Sequence, residues 1–501
     1  MELFDSMISG FHVALSLKNL LYCLVGVLLG MVVGVLPGLG TVATIALLLP
    51  LTYNIPPETS IIMLAGIYYG TMYGGSITSI LMDMPGEASS VVTTFDGYQM
   101  AKQGKAGVAL GISAIGSFIA GTVAIIGLSL LAPVAATFAL KFGPPEYTML
   151  AVFGVLLVSY LSTKSVIKSV IVALLGLLLS TIGQDPIEGS MRFTMGITHL
   201  MDGLDFTAMT MGLFGVAEVL HTMDQKGKAT LITSKVSRVW PSLKDWAESK
   251  WAIARGSAVG FLIGILPGGG AIISPMLSYA IEKRVSKHPE QFGKGAIEGV
   301  AGPESANNAS AGSAFIPLLT MGIPSNAVMA LIYGALLIHG ITPGPLLIKE
   351  HPEIFWGVID SMYVGNIILL LLSIPLVGIF VKLLRVRMGI LGPVAIMMTM
   401  IGVYTINNSI FDMWCVIIFG VLGYLMRKFG FDAGPLVLAF VLGPILETSF
   451  RQSMLISDGS FAIFATRPLA GSILAGIALL VLSSLVSAAW KRRKASKDAA
   501  A

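Results

Sequence analysis

Polar side chains that could bind an anion and a cation together are concentrated in two stretches of an otherwise apolar chain. Hydroxyl and amide groups are common to both stretches: Ser76, Thr78, Ser79, Ser89 and Ser90 in the first, and Ser305, Asn307, Asn308, Ser325 and Asn326 in the second. Such donors and acceptors, with little charge among them, suit an anionic substrate together with a hard cation. The alternative is that they are caps and turn residues of broken helices.

Three carboxylates accompany these groups: Asp83, Glu87 and Glu304. A carboxylate at membrane depth is costly unless it is paired, protonated or functional, so each is a candidate for carrying a coupling Na⁺ or H⁺. Each could equally cap a helix at an aqueous loop end. We predict no catalytic residue and no resident cofactor beyond the coupling ion.

Two Pro-Gly-x-Gly tetrads interrupt apolar segments, at Pro37 to Gly40 and at Pro267 to Gly270. Non-helical backbone at membrane depth is tolerated only where it is buried in protein or lines a watery cavity, so both tetrads predict broken or re-entrant helices. Helices starting at Thr41 and Ala271 would present free amides and a positive dipole end to a carboxylate. The backbone candidates for binding are therefore Gly38, Gly40, Thr41, Gly268, Gly269 and Gly270.

The tetrads end two glycine ladders, which repeat at an offset of 230: Gly26, Gly30 and Gly34, then Gly256, Gly260 and Gly264. A looser match pairs Gly75 with Gly312 and Met84-Pro85 with Ile323-Pro324, with two extra residues in the second copy. The chain thus resolves into two homologous halves. Small residues every fourth position also let helices pack closely, which is the plainer interpretation of the ladders.

The composition requires a membrane protein. Of 501 residues 55% are hydrophobic and 12% are charged, against about 25% charged in soluble domains. We predict an all-α polytopic protein of about 12 transmembrane helices in two homologous halves, with broken or re-entrant helices at the tetrads. Its apolar segments, among them 313–337, are long enough to cross or half cross the bilayer. Residues 1–220 form the first half, 221–252 a cytoplasmic linker, 253–490 the second half and 491–501 a basic cytoplasmic tail, because basic loops mark the cytoplasmic side.

Other functional classes lack the residues they need. The chain contains no GxxxxGK[ST], HExxH or CxxC motif, and Cys23 and Cys415 stand far apart in apolar runs. An intramembrane enzyme acting on a lipid-linked substrate would need a nucleophile and base that are absent. Two broken repeats suit a closed carrier site better than a channel, and nothing indicates binding to nucleic acid.

Four longer motifs carry a family resemblance: GVLPGLG at 34–40, GIYYGTMYGGSITSILMDMPGEASS at 66–90, GVAGPESANNASAGS at 299–313 and GIPSNA at 322–327. Together they resemble the large membrane subunit of the tripartite tricarboxylate transporters. The resemblance implies a multi-pass carrier of the bacterial inner membrane that imports citrate-like carboxylates with an ion gradient. It also implies two partners, a small four-helix membrane subunit and a periplasmic solute-binding protein.

Two positions depart from the family pattern. Asp83 stands where Asn is expected, and Ser325 stands where Gly is usual after the proline. An added carboxylate beside the site bears on the charge of the substrate or on the coupling ion. The alternative within the same class is a stand-alone carboxylate carrier that needs no binding protein. The side of the N-terminus and the orientation of the repeats stay open at this point.

Overall fold

The computed structural model describes residues 2–36, 40–161, 165–224, 239–267, 270–383 and 388–482. This part of the chain is almost entirely helical, as expected of an all-α membrane protein, and its one sheet is a short antiparallel hairpin. Five of its helices are long and apolar enough to cross a membrane, and further apolar helices are shorter. The count of about 12 crossings therefore stays a prediction. Gly38, Gly268 and Gly269, most of the linker and the basic tail lie outside the described residues.

The elements of the first half are α1 (Glu2–Ala14), α2 (Leu17–Gly34), α3 (Gly40–Leu48), α4 (Pro57–Met82), α5 (Val91–Lys102), α6 (Ala106–Ala139), α7 (Pro144–Leu161), α8 (Val166–Ser180), β1 (Gly183–Gln184), β2 (Met191–Arg192), α9 (Phe206–Thr210) and α10 (Ala217–Asp224), with a π-helical segment at Met211–Val216. Those of the second are α11 (Leu243–Gly264), α12 (Gly270–Val285), α13 (Glu298–Ser313), α14 (Phe315–Met321), α15 (Ala327–Ile338), α16 (Leu347–Glu350), α17 (Pro352–Ser373), α18 (Val377–Leu383), α19 (Met388–Asn407), α20 (Ile410–Lys428), α21 (Gly434–Ile456), α22 (Ile463–Thr466) and α23 (Pro468–Leu482).

The chain packs as two compact units, Met1–Thr137 with Asp205–Ala433, and Phe138–Leu204 with Gly434–Ala501. We call them the large and the small unit. This division is based on which residues pack together. The predicted halves 1–220 and 253–490 are defined instead by their repeated sequence motifs. The halves therefore stay a prediction, which the internal symmetry of the large unit supports.

Both glycine ladders lie in the large unit and each holds a helix against a parallel neighbour. A Cβ on Gly30 would stand 3.0 Å from the Gly70 Cα, and one on Gly260 would stand 2.7 Å from the Ala306 Cα. Contacts advance in the same direction along α2 and α4, and again along α11 and α13, so each pair runs parallel. The facing residues are Met63, Ile67 and Thr71 in the first pair and Gly302, Ala306 and Ser310 in the second, each 239 positions after its counterpart.

The same offset of 239 relates the ends of these helices. Asp83 ends α4 in the left-handed conformation with φ 59°, and Gly322 ends α14 with φ 70°. Each turn then folds back onto the equivalent carbonyl oxygen: the Gly86 N–H donates to Gly75 O, and the Ser325 hydroxyl donates to Ala314 O. Helices α13 and α14 together are therefore the counterpart of α4. The two-residue insertion that the sequence match suggests between Gly312 and Ile323 is absent from the structural register.

The two copies run in opposite directions. Ser76 contacts Glu304, whereas Tyr68, earlier in α4, contacts Phe315, later in the second copy, so the two central helices are antiparallel. Contacts from α6 to α13 advance in parallel, from Ser113–Glu304 to Ser117–Asn308. The large unit is thus an inverted repeat, the arrangement that places substrate sites at the repeat interface in many secondary carriers.

The structure can be compared with the sequence at the predicted helix starts and over the apolar segment 313–337. Helices begin at Gly40 and Gly270, one residue before the predicted starts. The apolar segment 313–337 is divided in the structure: the chain ends α13 at Ser313, forms the short α14, turns at Gly322 and begins α15 at Ala327. The polar stretch before it forms the buried helix α13, whose small residues let neighbouring helices surround it.

In the small unit, α8 runs parallel to α21, with Gly176 against the Leu436 backbone and Gly443 against Ser180. Four charged side chains tie the hairpin loop to α21. Arg192 binds Glu447 at 2.6 Å and Asp185 at 3.3 Å, and Arg451 binds Asp185 at 2.9 Å and Glu447 at 3.1 Å. The Asp185 carboxylate also accepts the backbone N–H groups of Ile187 and Glu188.

Candidate functional site

Glu87 lies in the large unit at the start of the helix that follows the first turn. Its carboxylate accepts hydrogen bonds from the Thr41 hydroxyl at the start of α3, from the Ser89 hydroxyl, and from the Asn307 amide of α13 at 3.3 Å. Gly75 makes this approach possible, since a Cβ there would stand 2.9 Å from the Glu87 Cγ. Glu87 thus joins the first broken helix, the first turn and the central helix of the second copy.

Glu304 lies on α13 and is fully buried, at 0% exposure. One carboxylate oxygen accepts the hydroxyls of Ser76 at 2.6 Å and Ser113 at 2.9 Å, and the other accepts the Thr93 hydroxyl. All three donors come from the first copy of the repeat, on α4, α5 and α6. The acid therefore sits in a cage of hydroxyl groups at the contact between the copies.

The two carboxyl groups are close enough to interact electrostatically. Within the described part of the chain, neither forms an ion pair with a Lys, Arg or His side chain. No group of three or more His, Cys, Asp or Glu side chains is gathered for a metal there either. The site therefore offers two carboxyl groups, hydroxyls and amides, which are ligands for a proton or a small hard cation.

Asp96 on α5 is a buried carboxylate whose hydrogen bonds all serve the packing of the backbone and of α12. Its Oδ1 accepts the backbone N–H groups of Gly293, Gly295 and Ala296 at 2.7 to 2.9 Å, and its Oδ2 accepts the Tyr279 hydroxyl at 2.9 Å. Every bond reaches the loop before α13 or the helix α12. Asp96 therefore fixes the entry of the chain into α13, which carries Glu304.

The structure gathers some of the predicted binding residues and separates others. Thr41, Ser76, Ser89 and Asn307 contact Glu87 or Glu304. Thr78, Ser79, Ser90, Asn308 and Ser325 bond to neighbouring backbone or hydroxyl groups instead. The buried Ser305 hydroxyl has no partner among the described residues. Gly40 and Gly270 begin helices as expected of broken segments.

Asp83 is not part of the buried site. It is exposed at the end of α4 and lines an open cavity of about 520 Å³ with Thr94 and Lys283. Its left-handed conformation is one that Asn and Gly adopt most readily, and Asp tolerates it. The left-handed helix cap at this position accommodates Asp83 in place of the Asn of the family pattern.

Sequence reasoning missed several residues of the site: Tyr68, Thr93, Ser113 and Ser117. Thr93 lies three residues after the first polar stretch, so its hydroxyl belongs to the same polar region of the sequence. Ser113 and Ser117 stand four residues apart on one face of the apolar helix α6, and that spacing is a signal that sequence alone contains.

Comparison with known proteins agrees with the geometry. The model of the tripartite tricarboxylate transporter TctA family matches residues 20–438. The chain belongs to this family. The resemblance seen in its motifs is thereby confirmed, and a TctA-type large subunit is a multi-pass membrane transport protein.

Two relatives come from Agrobacterium vitis. An uncharacterized 52.8 kDa protein in the TAR-I ttuC' 3'region is 48% identical over 495 residues, which are 99% of both chains. An uncharacterized protein in the TAR-II ttuC' 3'region is 50% identical over 234 residues, which are 46% of this chain and 97% of that protein. No solved structure matches the chain.

Proposed function

We propose that the chain is the permease subunit of a tripartite carrier that imports citrate-like carboxylates with an ion gradient. The observation that carries the proposal is Glu304, a fully buried carboxyl group with three hydroxyl donors and no basic partner among the described residues. It lies where the two inverted copies touch, which is the expected place for a coupling site.

The chemistry of coupling follows from the cost of charge. An ionised carboxylate at this depth is expensive, and a bound Na⁺ or H⁺ removes that cost. Substrate anions would be repelled by Glu87 and Glu304 while both are charged. Loading the cation first therefore makes entry of the anion favourable, and this order couples the two fluxes.

The partners and orientation complete the proposal. The family name implies a small membrane subunit and a periplasmic binding protein that delivers the substrate. We place the protein in the bacterial inner membrane with its C-terminus in the cytoplasm, because basic residues cluster at Arg427-Lys428 and in the tail. The parallel helices α8 and α21 support this orientation, since Lys168 and Lys428 lie near their starts.

The test is citrate uptake into proteoliposomes that contain this chain and its small subunit. The binding protein is added or omitted, and a Na⁺ or H⁺ gradient is imposed across the membrane. We expect uptake to require the gradient and the added binding protein. Glu304→Gln is expected to abolish gradient-driven accumulation while substrate exchange continues. The matched control is Glu290→Gln, an exposed glutamate on the loop before α13. Accumulation by Glu304→Gln at the wild-type level would refute the proposal.

A further inference from the structure

We propose that the open cavity beside Asp83 binds a hydroxycarboxylate as it leaves the carrier on the cytoplasmic side. Lys283 binds one carboxylate of this substrate, and Asp83 accepts a hydrogen bond from its hydroxyl group. The inference rests on the proposed carboxylate import and goes further by assigning a release site and the class of acid. It is carried by the charged groups that share the cavity and by the position of the cavity in the fold.

The cavity has a volume of about 520 Å³, which admits a small acid, and an aromatic wall within the large unit. The Tyr279 ring packs edge-on against Phe95 at 5.7 Å and against Phe292 at 5.3 Å. The Tyr279 hydroxyl donates to Asp96 Oδ2 at 2.9 Å, which fixes the ring. Because this wall is already ordered, binding does not have to pay for ordering it.

Three polar side chains that line the cavity are available to a ligand. Lys283 and Asp83 are exposed, and neither forms an ion pair within the described part of the chain. The Gln99 side chain forms no hydrogen bond there either. An ammonium group, a carboxylate and an amide in one cavity suit a ligand that has both an anionic group and a hydroxyl donor.

Asp83 makes the cavity selective among acids. A simple dicarboxylate brings only negative groups toward the Asp83 carboxylate, and like charges repel. A ligand hydroxyl instead donates to this carboxylate, and a hydrogen bond to a charged acceptor is among the stronger polar contacts. The cavity should therefore prefer a hydroxylated acid such as malate to succinate, which differs from malate only by the hydroxyl.

The cavity opens on the side of the membrane where α11 begins. Helices α11 and α12 form a hairpin, because Gly270 lies against Gly264 at the turn and Arg255 binds Glu282 at 2.5 Å further away from it. Lys283 follows Glu282 and lies at the open end of the hairpin. Since α11 follows the linker, this end is cytoplasmic in the proposed orientation.

Helix α5 connects the cavity with the buried acid. Thr93 donates to Glu304, and the next residue, Thr94, lines the cavity. An anion that leaves the contact between the copies on this side therefore meets the cavity, where Lys283 offsets its charge.

The test measures how malate and succinate protect a cysteine in the cavity of the purified full-length chain from a maleimide. Phe95→Cys places a thiol at a position that is 45% exposed, whereas the native Cys23 and Cys415 are buried. Malate is expected to give half-protection at a concentration about 10- to 100-fold lower than succinate. Lys287→Cys, exposed outside the cavity lining, is the control and should not be protected by either acid.

Two substitutions in the Phe95→Cys chain test the assigned groups. Lys283→Gln is expected to raise the malate concentration for half-protection about 10- to 100-fold. Arg284→Gln, at the next and equally exposed residue outside the lining, should leave it unchanged. Asp83→Asn is expected to reduce the preference for malate over succinate. An impermeant maleimide should label Phe95→Cys in inside-out vesicles and not in right-side-out vesicles.

Protection is expected without Na⁺ or a gradient, because the cavity binds the acid through its own cation. Protection that requires the coupling ion, or that survives Lys283→Gln, would assign the effect to the buried site and overturn the proposal. Equal protection by malate and succinate would overturn the class of acid, and labelling from the periplasmic side would overturn the release site. Gradient-driven uptake without protection of Phe95→Cys would overturn the cavity site and leave carboxylate import intact. Absence of uptake by the wild-type chain with its partners would instead contradict the proposed function itself.

Discussion

Asp83 and Gly322 hold the same backbone conformation at equivalent positions of two inverted copies. Their φ angles, 59° and 70°, lie in the left-handed region, where glycine is unstrained and other residues are strained. Both residues end a central helix and start a turn that leads to a proline two residues later. The relationship shows that the turn geometry is shared while the side chain at its start is not.

Replacing Asp83 with Gly is therefore expected to stabilise the protein, by about 0.5–1 kcal/mol, because strain at the cap is relieved. The measurement is thermal unfolding of the purified chain in detergent. Since the side chain is exposed and outside the buried site, Asp83→Asn is expected to keep gradient-driven uptake. Loss of ion dependence in Asp83→Asn would show that the carboxylate takes part in coupling after all.

Ser76→Ala removes one of the hydroxyls around Glu304 and is expected to shift the coupling-ion concentration for half-maximal uptake about 10- to 100-fold. A higher Na⁺ requirement would identify the hydroxyl as a cation ligand, and a lower H⁺ requirement would identify it as a donor to the ionised acid. Ser257→Ala on α11 is the control, because that buried hydroxyl bonds to Ile253 O in its own helix. If Ser76→Ala leaves the ion concentration for half-maximal uptake unchanged, the Ser76 hydroxyl does not contribute to the ion site at Glu304.

Asp96→Asn should loosen the loop that leads into α13, because three N–H bonds to a charged oxygen become bonds to a neutral amide. We expect a loss of about 1.5–3 kcal/mol in the free energy of unfolding. Hydrogen exchange at Gly293, Gly295 and Ala296 should accelerate, which mass spectrometry of peptides from this loop would detect. Asp202→Asn, at an exposed position, serves as the control. If the loop exchanges in Asp96→Asn as slowly as in wild type, Asp96 does not hold it.

Gly30→Ala and Gly260→Ala should each destabilise the large unit by about 1–3 kcal/mol, since the added methyl group meets the backbone of the neighbouring helix. Gly476→Ala in α23 meets open space and should be neutral or slightly stabilising. Thermal unfolding of the three variants checks this. Equal stability for all three would mean that the parallel pairs are not closely packed.

The small unit should lose stability in acid through Asp185, in the loop between α8 and α9. The backbone N–H groups of Glu188 and Ile187, and then Arg451, lower the pKa of this carboxyl group from its usual 3.8 to about 2. Its contribution is therefore complete above pH of about 4 and lost as the pH falls toward 2. Unfolding measured across that range should show the loss in wild type and in the exposed control Asp458→Asn. Asp185→Asn should lack this pH dependence and be less stable at neutral pH.

Local sequence patterns predicted the parts of the fold that depend on neighbours along the chain. The glycine ladders identify helices that pack closely, and the tetrads predict the starts of α3 and α12 to within one residue. Hydropathy over 313–337 does not indicate where the chain turns, because Gly322 lies within an apolar run.

The partners of the acids could not be predicted, since they are brought together by tertiary contacts. Glu304 meets Ser76 and Ser113 across 228 and 191 positions of sequence. The orientation of the repeats is equally invisible to a count of helices. It emerges from the order of contacts between α4 and the helices α13 and α14.

Both copies of the repeat contribute to the hydroxyl cage around Glu304, and this affects what happens when the copies move. The acid belongs to one copy and its three hydroxyl donors belong to the other. Any rocking that separates the copies would strip the acid of its donors, and its affinity for the ion would change with the distance between them. One movement of the two copies would then control both binding and release of the ion, and no separate gate for the ion would be needed.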